Sequence, residues 1–155
     1  MRLSLHTDLA LRLLMFVAAN ENRLCTIAEA AERHRVSKNH LMKVSQSLVH
    51  EGWLESVRGR SGGLRLGRPA AAISIGDVVE KLEGVTVLDC MSPGATTDIC
   101  VLVHACALKP ALAEAMQAFI QSLKAVTLAD AASPLGKVAA LLGDAGLAGQ
   151  TPKHH

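Results

Sequence analysis

Leu9, Ala10, Leu13, Leu14 and Val17 recur at three- and four-residue intervals, the spacing that lines one face of a helix. Thr7 stands before them as a candidate cap, so the pattern predicts a first helix over 7–19, ended by Asn20-Glu21-Asn22. Thr26-Ile27-Ala28-Glu29 has the form of a capping box, in which hydroxyl and carboxylate each satisfy a free backbone N–H, and predicts a short second helix over 27–34. Ser37 is the candidate cap of a third helix over 38–50. Its Leu41, Val44 and Leu48 face inward, while Asn39, Lys43 and Gln46 line the outer face at i, i+4 and i+7. Two short helices across a tight turn, the second presenting polar and basic groups, form a helix-turn-helix.

Beyond Gly52 the period changes. Trp53 to Val57 reads as a strand, Arg58-Gly59-Arg60-Ser61-Gly62-Gly63 as a turn and Leu64-Arg65-Leu66 as the returning strand, a hairpin that makes the wing. Ser74 starts a fourth helix that runs to about Leu82 and is closed by Gly84. Periodicity then lapses until a fifth helix near Pro110, which carries Leu112, Ala115, Met116, Phe119, Ile120, Leu123 and Val126 as one apolar stripe. Such a stripe needs a partner surface, and a second copy of the chain is the simplest. A further short helix is expected from Pro134, before a polar tail that includes His154 and His155. The expected fold is mainly α. A winged helix-turn-helix spans 1–84, a cysteine-bearing loop 85–107, a dimerisation helix 108–130 and a C-terminal tail 131–155.

Composition narrows the class. Half of the 155 residues are hydrophobic but only 2% are aromatic, so the core is aliphatic. No apolar run reaches the roughly 18 residues of a membrane span, and the opening of the chain lacks a cleavable signal pattern, so a cytoplasmic protein is expected. The net charge of +2 is unevenly placed. Residues 33–68 hold eight basic side chains (Arg33, Arg35, Lys38, Lys43, Arg58, Arg60, Arg65 and Arg68) against Glu51 and Glu55, whereas the chain from residue 69 onward is net acidic. A basic window of this kind is the footprint of a polyphosphate partner.

An α-helix fits the major groove of duplex DNA, which makes Lys38, Asn39, His40, Lys43 and Gln46 the candidate base-reading and backbone residues. Asn39 suits adenine, and Lys43 suits guanine or phosphate. Arg58, Arg60 and Arg65, set among glycines, suit phosphate contact and minor-groove entry. For an isolated helix, a polar face is more simply a solvated one; the adjoining basic wing is what favours DNA. Nothing supports an enzyme: the chain has no nucleophile elbow, phosphate loop, His-x-x-x-His pair or carboxylate dyad.

Cys90, Cys100 and Cys106 fall in the aperiodic segment with the spacing C-x9-C-x5-C. Three thiolates from one loop can hold an iron–sulfur cluster. Zinc is the structural alternative, although it usually draws on close C-x2-4-C pairs. A thiol–disulfide switch is another. His104, between two of the cysteines, and His6 compete as ligands, and Cys25 reads as a buried small residue.

Val36-Ser37-Lys38-Asn39-His40-Leu41 and Val57-Arg58-Gly59-Arg60-Ser61-Gly62-Gly63-Leu64-Arg65-Leu66-Gly67 resemble the recognition helix and wing of NsrR-type nitric-oxide-sensing repressors. These belong to the winged-helix family that also includes the iron–sulfur biogenesis regulator IscR. The resemblance runs from Met1 to about Asp130 and includes Thr127-Leu128-Ala129-Asp130. It implies a homodimer on a palindromic operator, with an iron–sulfur cluster on Cys90, Cys100 and Cys106, the first gap being longer than is usual there. Asp8 of the partner subunit is implied as the fourth ligand; on its own, Asp8 is a first-turn acid on a helix dipole. Either a 4Fe-4S or a 2Fe-2S cluster fits, the former preferred. Nitric oxide is the implied signal, releasing DNA and derepressing detoxification genes. The alternative within the same fold is a sensor of iron–sulfur or redox status.

Overall fold

The computed structural model describes residues 2–84, 89–91, 102 and 106–133. Cys100, His104, the expected helix from Pro134, and His154 and His155 lie outside them.

Helix α1 (Leu5–Ala18) begins one turn earlier than its apolar stripe suggests. Ser4, in extended backbone, is the cap, and its hydroxyl accepts from the Thr7 N–H at 3.2 Å. Thr7 is therefore not the cap but a fully buried residue of the first turn, where its Oγ1 accepts from the Ser4 hydroxyl. Helix α2 (Ile27–His34) opens on the expected capping box: the Glu29 N–H donates to Thr26 Oγ1 at 3.1 Å and the Thr26 N–H to Glu29 Oε2 at 2.7 Å. The Thr26 N–H first, and then the Thr26 hydroxyl, which donates to the same oxygen at 2.9 Å, hold the Glu29 carboxyl below its ordinary range. Arg35 ends the helix in left-handed backbone at φ 53, and three residues on α3 (Lys38–His50) begins. Ser37 occupies the cap position of α3, but its hydroxyl makes no capping bond.

Trp53 is buried just ahead of the sheet rather than in it; strand β1 spans Leu54–Val57 and pairs antiparallel with β2 (Gly63–Leu66). The register sets Leu54 opposite Leu66 and Glu55 opposite Arg65. Cys25 bridges to the outer side of β2, its N–H donating to the Leu64 carbonyl at 2.9 Å and its carbonyl accepting from Leu64 at 2.7 Å. A side chain at Gly63 would strike that Cys25 carbonyl at 2.8 Å, so glycine is required there.

Helix α4 (Ile75–Glu83) is capped by Ser74 and closed by Gly84 at φ 56. Helix α5 (Leu108–Lys124) starts two residues before Pro110, which lies within the first turn, where a missing N–H costs nothing. It also stops before Val126. The Val126 carbonyl instead accepts from the Ile75 N–H at 2.9 Å, while the Leu128 N–H donates to Ile73 at 2.8 Å, a short bridge that binds the end of α5 to the start of α4. Thr127 and Asp130 then cap each other to start a helical turn over 128–133.

One aliphatic core unites these pieces. Leu9, Leu13, Leu14 and Val17 of α1 pack between α3, through Leu41, Val44 and Leu48, and α4, through Val78 and Val79. Ile120 and Leu128 complete it, so the C-terminal part of α5 is built into the same core as the helix-turn-helix and wing. Its N-terminal half is different: Leu108 is exposed, and Leu112 and Met116 are half-buried along one stripe.

Candidate nucleic-acid interface and cysteine segment

Burying Leu41, Val44 and Leu48 turns the opposite face of α3 outward, so Lys38, Asn39, His40, Lys43 and Gln46 are all exposed together. They form one polar, cationic surface. Ser45 is buried and spends its hydroxyl on the Met42 carbonyl at 2.9 Å. At the wing tip Arg58 and Arg60 are exposed on either side of Gly59, whose φ of 122 lets the turn protrude, and neither makes an ion pair among the described residues.

The other two arginines of the wing region are engaged. Arg65 donates from Nε to Glu55 Oε2 at 2.8 Å, and its Nη2 lies 2.7 Å from the same oxygen, because the strand register brings them face to face. Phosphate contact by Arg65 must compete with this pair. Exposed pairs contribute only about 0–1 kcal/mol, so the competition is mild. Glu55→Gln is expected to tighten binding to random-sequence duplex about two- to fivefold and to steepen its salt dependence; unchanged binding in a salt titration would take Arg65 out of the interface.

Arg68, counted with the basic window, turns back on the protein. Its Nη2 donates to the Glu51 carbonyl at 3.1 Å and its Nε to Gly52 at 3.3 Å, satisfying carbonyls at the C-terminal end of α3. It fixes the exit of the wing to the end of the recognition helix. No spacing rule reports such a contact, which depends on Gly52 turning at φ 70 to bring the two chain segments together.

Another contact missed by sequence lies behind this surface. Glu83, the last residue of α4, accepts from the Ser4 N–H at 2.7 Å, at the start of α1. Burial pushes its carboxyl up, but bonds from the Thr7 hydroxyl and from Ser4 outweigh it and hold the group below its ordinary range. The residue that leads into the cysteine segment is thus tied to the turn that carries Asp8.

Asp8 is half-buried and held by Arg12, with Arg12 Nε donating to Oδ1 at 3.1 Å and Nη2 2.8 Å from Oδ2. Cys90 lies in a short 3-10 turn, Asp89–Met91, and Cys106 stands two residues before α5. Both are half-buried free thiols. Cys25, by contrast, is fully buried, and burial pushes its thiol up, as expected of a packed residue. Among the described residues no three His, Cys, Asp or Glu side chains come together as a metal site. Cys90 and Cys106 nevertheless fit iron in kind: they are soft, unpaired donors at the two ends of the segment that joins α4 to α5.

His34 is the one described residue with a buried side-chain nitrogen, Nε2, lacking any partner. It meets the edge of Phe16 with ring centres 5.9 Å apart. Burial first, and then the Arg12 guanidinium, push the imidazole below its ordinary value, against a bond to the Arg12 backbone and the charge of Asp8. The folded state therefore binds this proton less readily than the unfolded state does. Its contribution is fully present above about pH 6.5 and is lost as pH falls from there through the depressed folded value. Urea midpoints at pH 7.5 and 5.5 are expected to differ less in His34→Leu than in the parent protein; equal differences would refute the assignment.

Residues 3–134 match the family described as Rrf2, iron-dependent transcriptional regulator. Among solved structures, the chain is similar to the global cysteine regulator CymR of B. subtilis, with TM-score 0.68 and 24% identity over 86% of this chain and 98% of that one. It is also similar to IscR of T. potens, with TM-score 0.71 and 21% identity over 89% and 90%. The oxidised form of Staphylococcus aureus CymR gives TM-score 0.66 and 28% identity over 85% and 96%. The first two establish the winged-helix architecture. Among the described residues no helix is long and apolar enough to cross a membrane.

Proposed function

Because the chain belongs to the Rrf2 family of DNA-binding transcriptional regulators, we propose that it is a cytoplasmic, homodimeric repressor whose grip on a palindromic operator is released by nitric oxide through an iron–sulfur cluster. The observation that carries this reading is the pair of half-buried thiols, Cys90 and Cys106, at the two ends of the segment directly behind the DNA-binding unit. With Cys100 they supply three ligands, and Asp8 of the partner subunit supplies the fourth once Arg12 yields it. When bound, the group supplies iron that nitric oxide can occupy. The 4Fe-4S form is preferred over 2Fe-2S.

The chain's own residues do the rest. Cys90 lies seven residues beyond Glu83 in sequence; Glu83 holds the start of α1, and α1 in turn packs on α3, the reading helix. The N-terminal stripe of α5, with Leu108 exposed and Leu112 and Met116 half-buried, suits a second copy, which sets the distance between the two reading helices. A loss of about 3 to 4 kcal/mol of coupling weakens binding a few hundredfold without changing any DNA contact. Derepression of nitric oxide detoxification genes is the expected output.

A second reading, a sensor of cysteine, thiol or iron–sulfur status, is favoured by the ion pair that already occupies Asp8 and by the cysteine regulator and IscR among the structural neighbours. Isolation without oxygen followed by iron analysis, visible absorbance and DNA-binding titration with nitric oxide separates them. The expected result is a coloured, iron-loaded protein that loses DNA as nitric oxide is added, and a Cys106→Ser protein without colour or iron. A colourless protein whose binding responds to oxidant and recovers with a thiol reductant would establish the thiol switch. Tight operator binding by apo-protein would overturn release as the mechanism.

A further inference from the structure

Leu5, Met42, Leu102, Leu108 and Val126 are the large apolar side chains exposed among the described residues. Met42 alone of these stands on α3, 41% exposed. At 100° per residue it lies on the outward side, with Lys38 one turn before it and Gln46 one turn after, and Asn39 and Lys43 beside it. The core takes Leu41, Val44 and Leu48 from this helix and leaves Met42 outside. The bond at this position, from the Ser45 hydroxyl, goes to the Met42 backbone carbonyl and leaves the thioether uncommitted.

An apolar group in water on the flank of a cationic, hydrogen-bonding surface gains nothing there. In the major groove it has one apolar counterpart, the C5-methyl group of thymine, since every other base edge presents donors and acceptors. An unbranched, polarizable side chain can reach and adapt to that methyl. We propose that Met42 is a specificity-determining residue that reads a thymine methyl, while its neighbours Asn39 and Lys43 supply the hydrogen bonds. The inference rests on α3 being the DNA-reading helix. It is independent of any cluster chemistry.

The test starts from sites selected out of random duplexes by the full-length protein isolated without oxygen. Each thymine of the selected site is then replaced in turn by deoxyuridine, which lacks only the methyl. At one thymine the parent protein is expected to lose affinity about fourfold, the worth of one buried methyl group. Met42→Ser should bind the thymine site about fourfold more weakly and lose nothing further on deoxyuridine. Its melting temperature and salt slope should stay those of the parent, because the side chain is exposed and uncharged. Full retention of the deoxyuridine penalty by Met42→Ser, or no penalty at any thymine in the parent, overturns the proposal. If Asn39→Ala and Lys43→Ala select the same sites as the parent, α3 is not the reading helix and that underlying assignment fails as well.

Discussion

Replacing Arg58 and Arg60 together by alanine is expected to weaken DNA binding about thirtyfold near physiological salt, roughly 2 kcal/mol, for specific and random duplexes alike. Both side chains stand exposed at the tip of the wing, and neither is committed to a carboxylate among the described residues. Each phosphate they neutralise releases a counterion. The slope of log K against log salt should therefore become shallower by about 1.8. A loss confined to one sequence, with an unchanged slope, would mean base reading rather than phosphate contact. Arg68→Ala is the internal contrast: this side chain caps the end of α3, so the slope should stay as it is while discrimination between sites declines.

The second large effect is expected at Gly76. In an ordinary helix, alanine in place of glycine stabilises by about 1 kcal/mol. Here the sign should reverse. A Cβ at Gly76 would stand 2.5 Å from the Lys124 backbone nitrogen and 2.8 Å from its Cα, and backbone cannot swing aside as a side chain can. Gly76→Ala is expected to lower the urea midpoint, and Gly76→Val to cost about 3 kcal/mol. The bridges between Ile73–Ile75 and Val126–Leu128 would separate, as would the Lys124 Nζ contact with Glu80 Oε2 at 2.6 Å. A Gly76→Ala midpoint at or above that of the parent would show that α5 is free to shift.

Helices α2 and α3 were legible from the chain because their signals are local. A capping box lies within four residues, and an apolar stripe repeats every turn. Ser4 was passed over for Thr7 because a cap has to lie next to the stripe to be noticed, and α1 begins a turn before its apolar stripe does. Val126 continued the apolar period of α5, but its carbonyl was needed by Ile75, and the helix gave way at Lys124. Strand register decided Arg65: Glu55 is ten residues away in sequence and directly opposite in space. Met42 escaped for another reason. A search of the outer face for polar groups passes over an apolar one, and only its exposure shows where it points.

Attachment at one end makes α5 a lever. Its anchors run from Ile120 to Leu128, its fulcrum is the close contact of Gly76 with Lys124, and Leu108 is at the far end. At 1.5 Å per residue that end stands about 24 Å from Lys124. A 5° tilt at the fulcrum moves it by about 2 Å, enough to separate groups held at bonding distance. Cys106 stands two residues before that moving end. The same protein can therefore report a sub-ångström change at one end of the lever as a change of ångströms at the other.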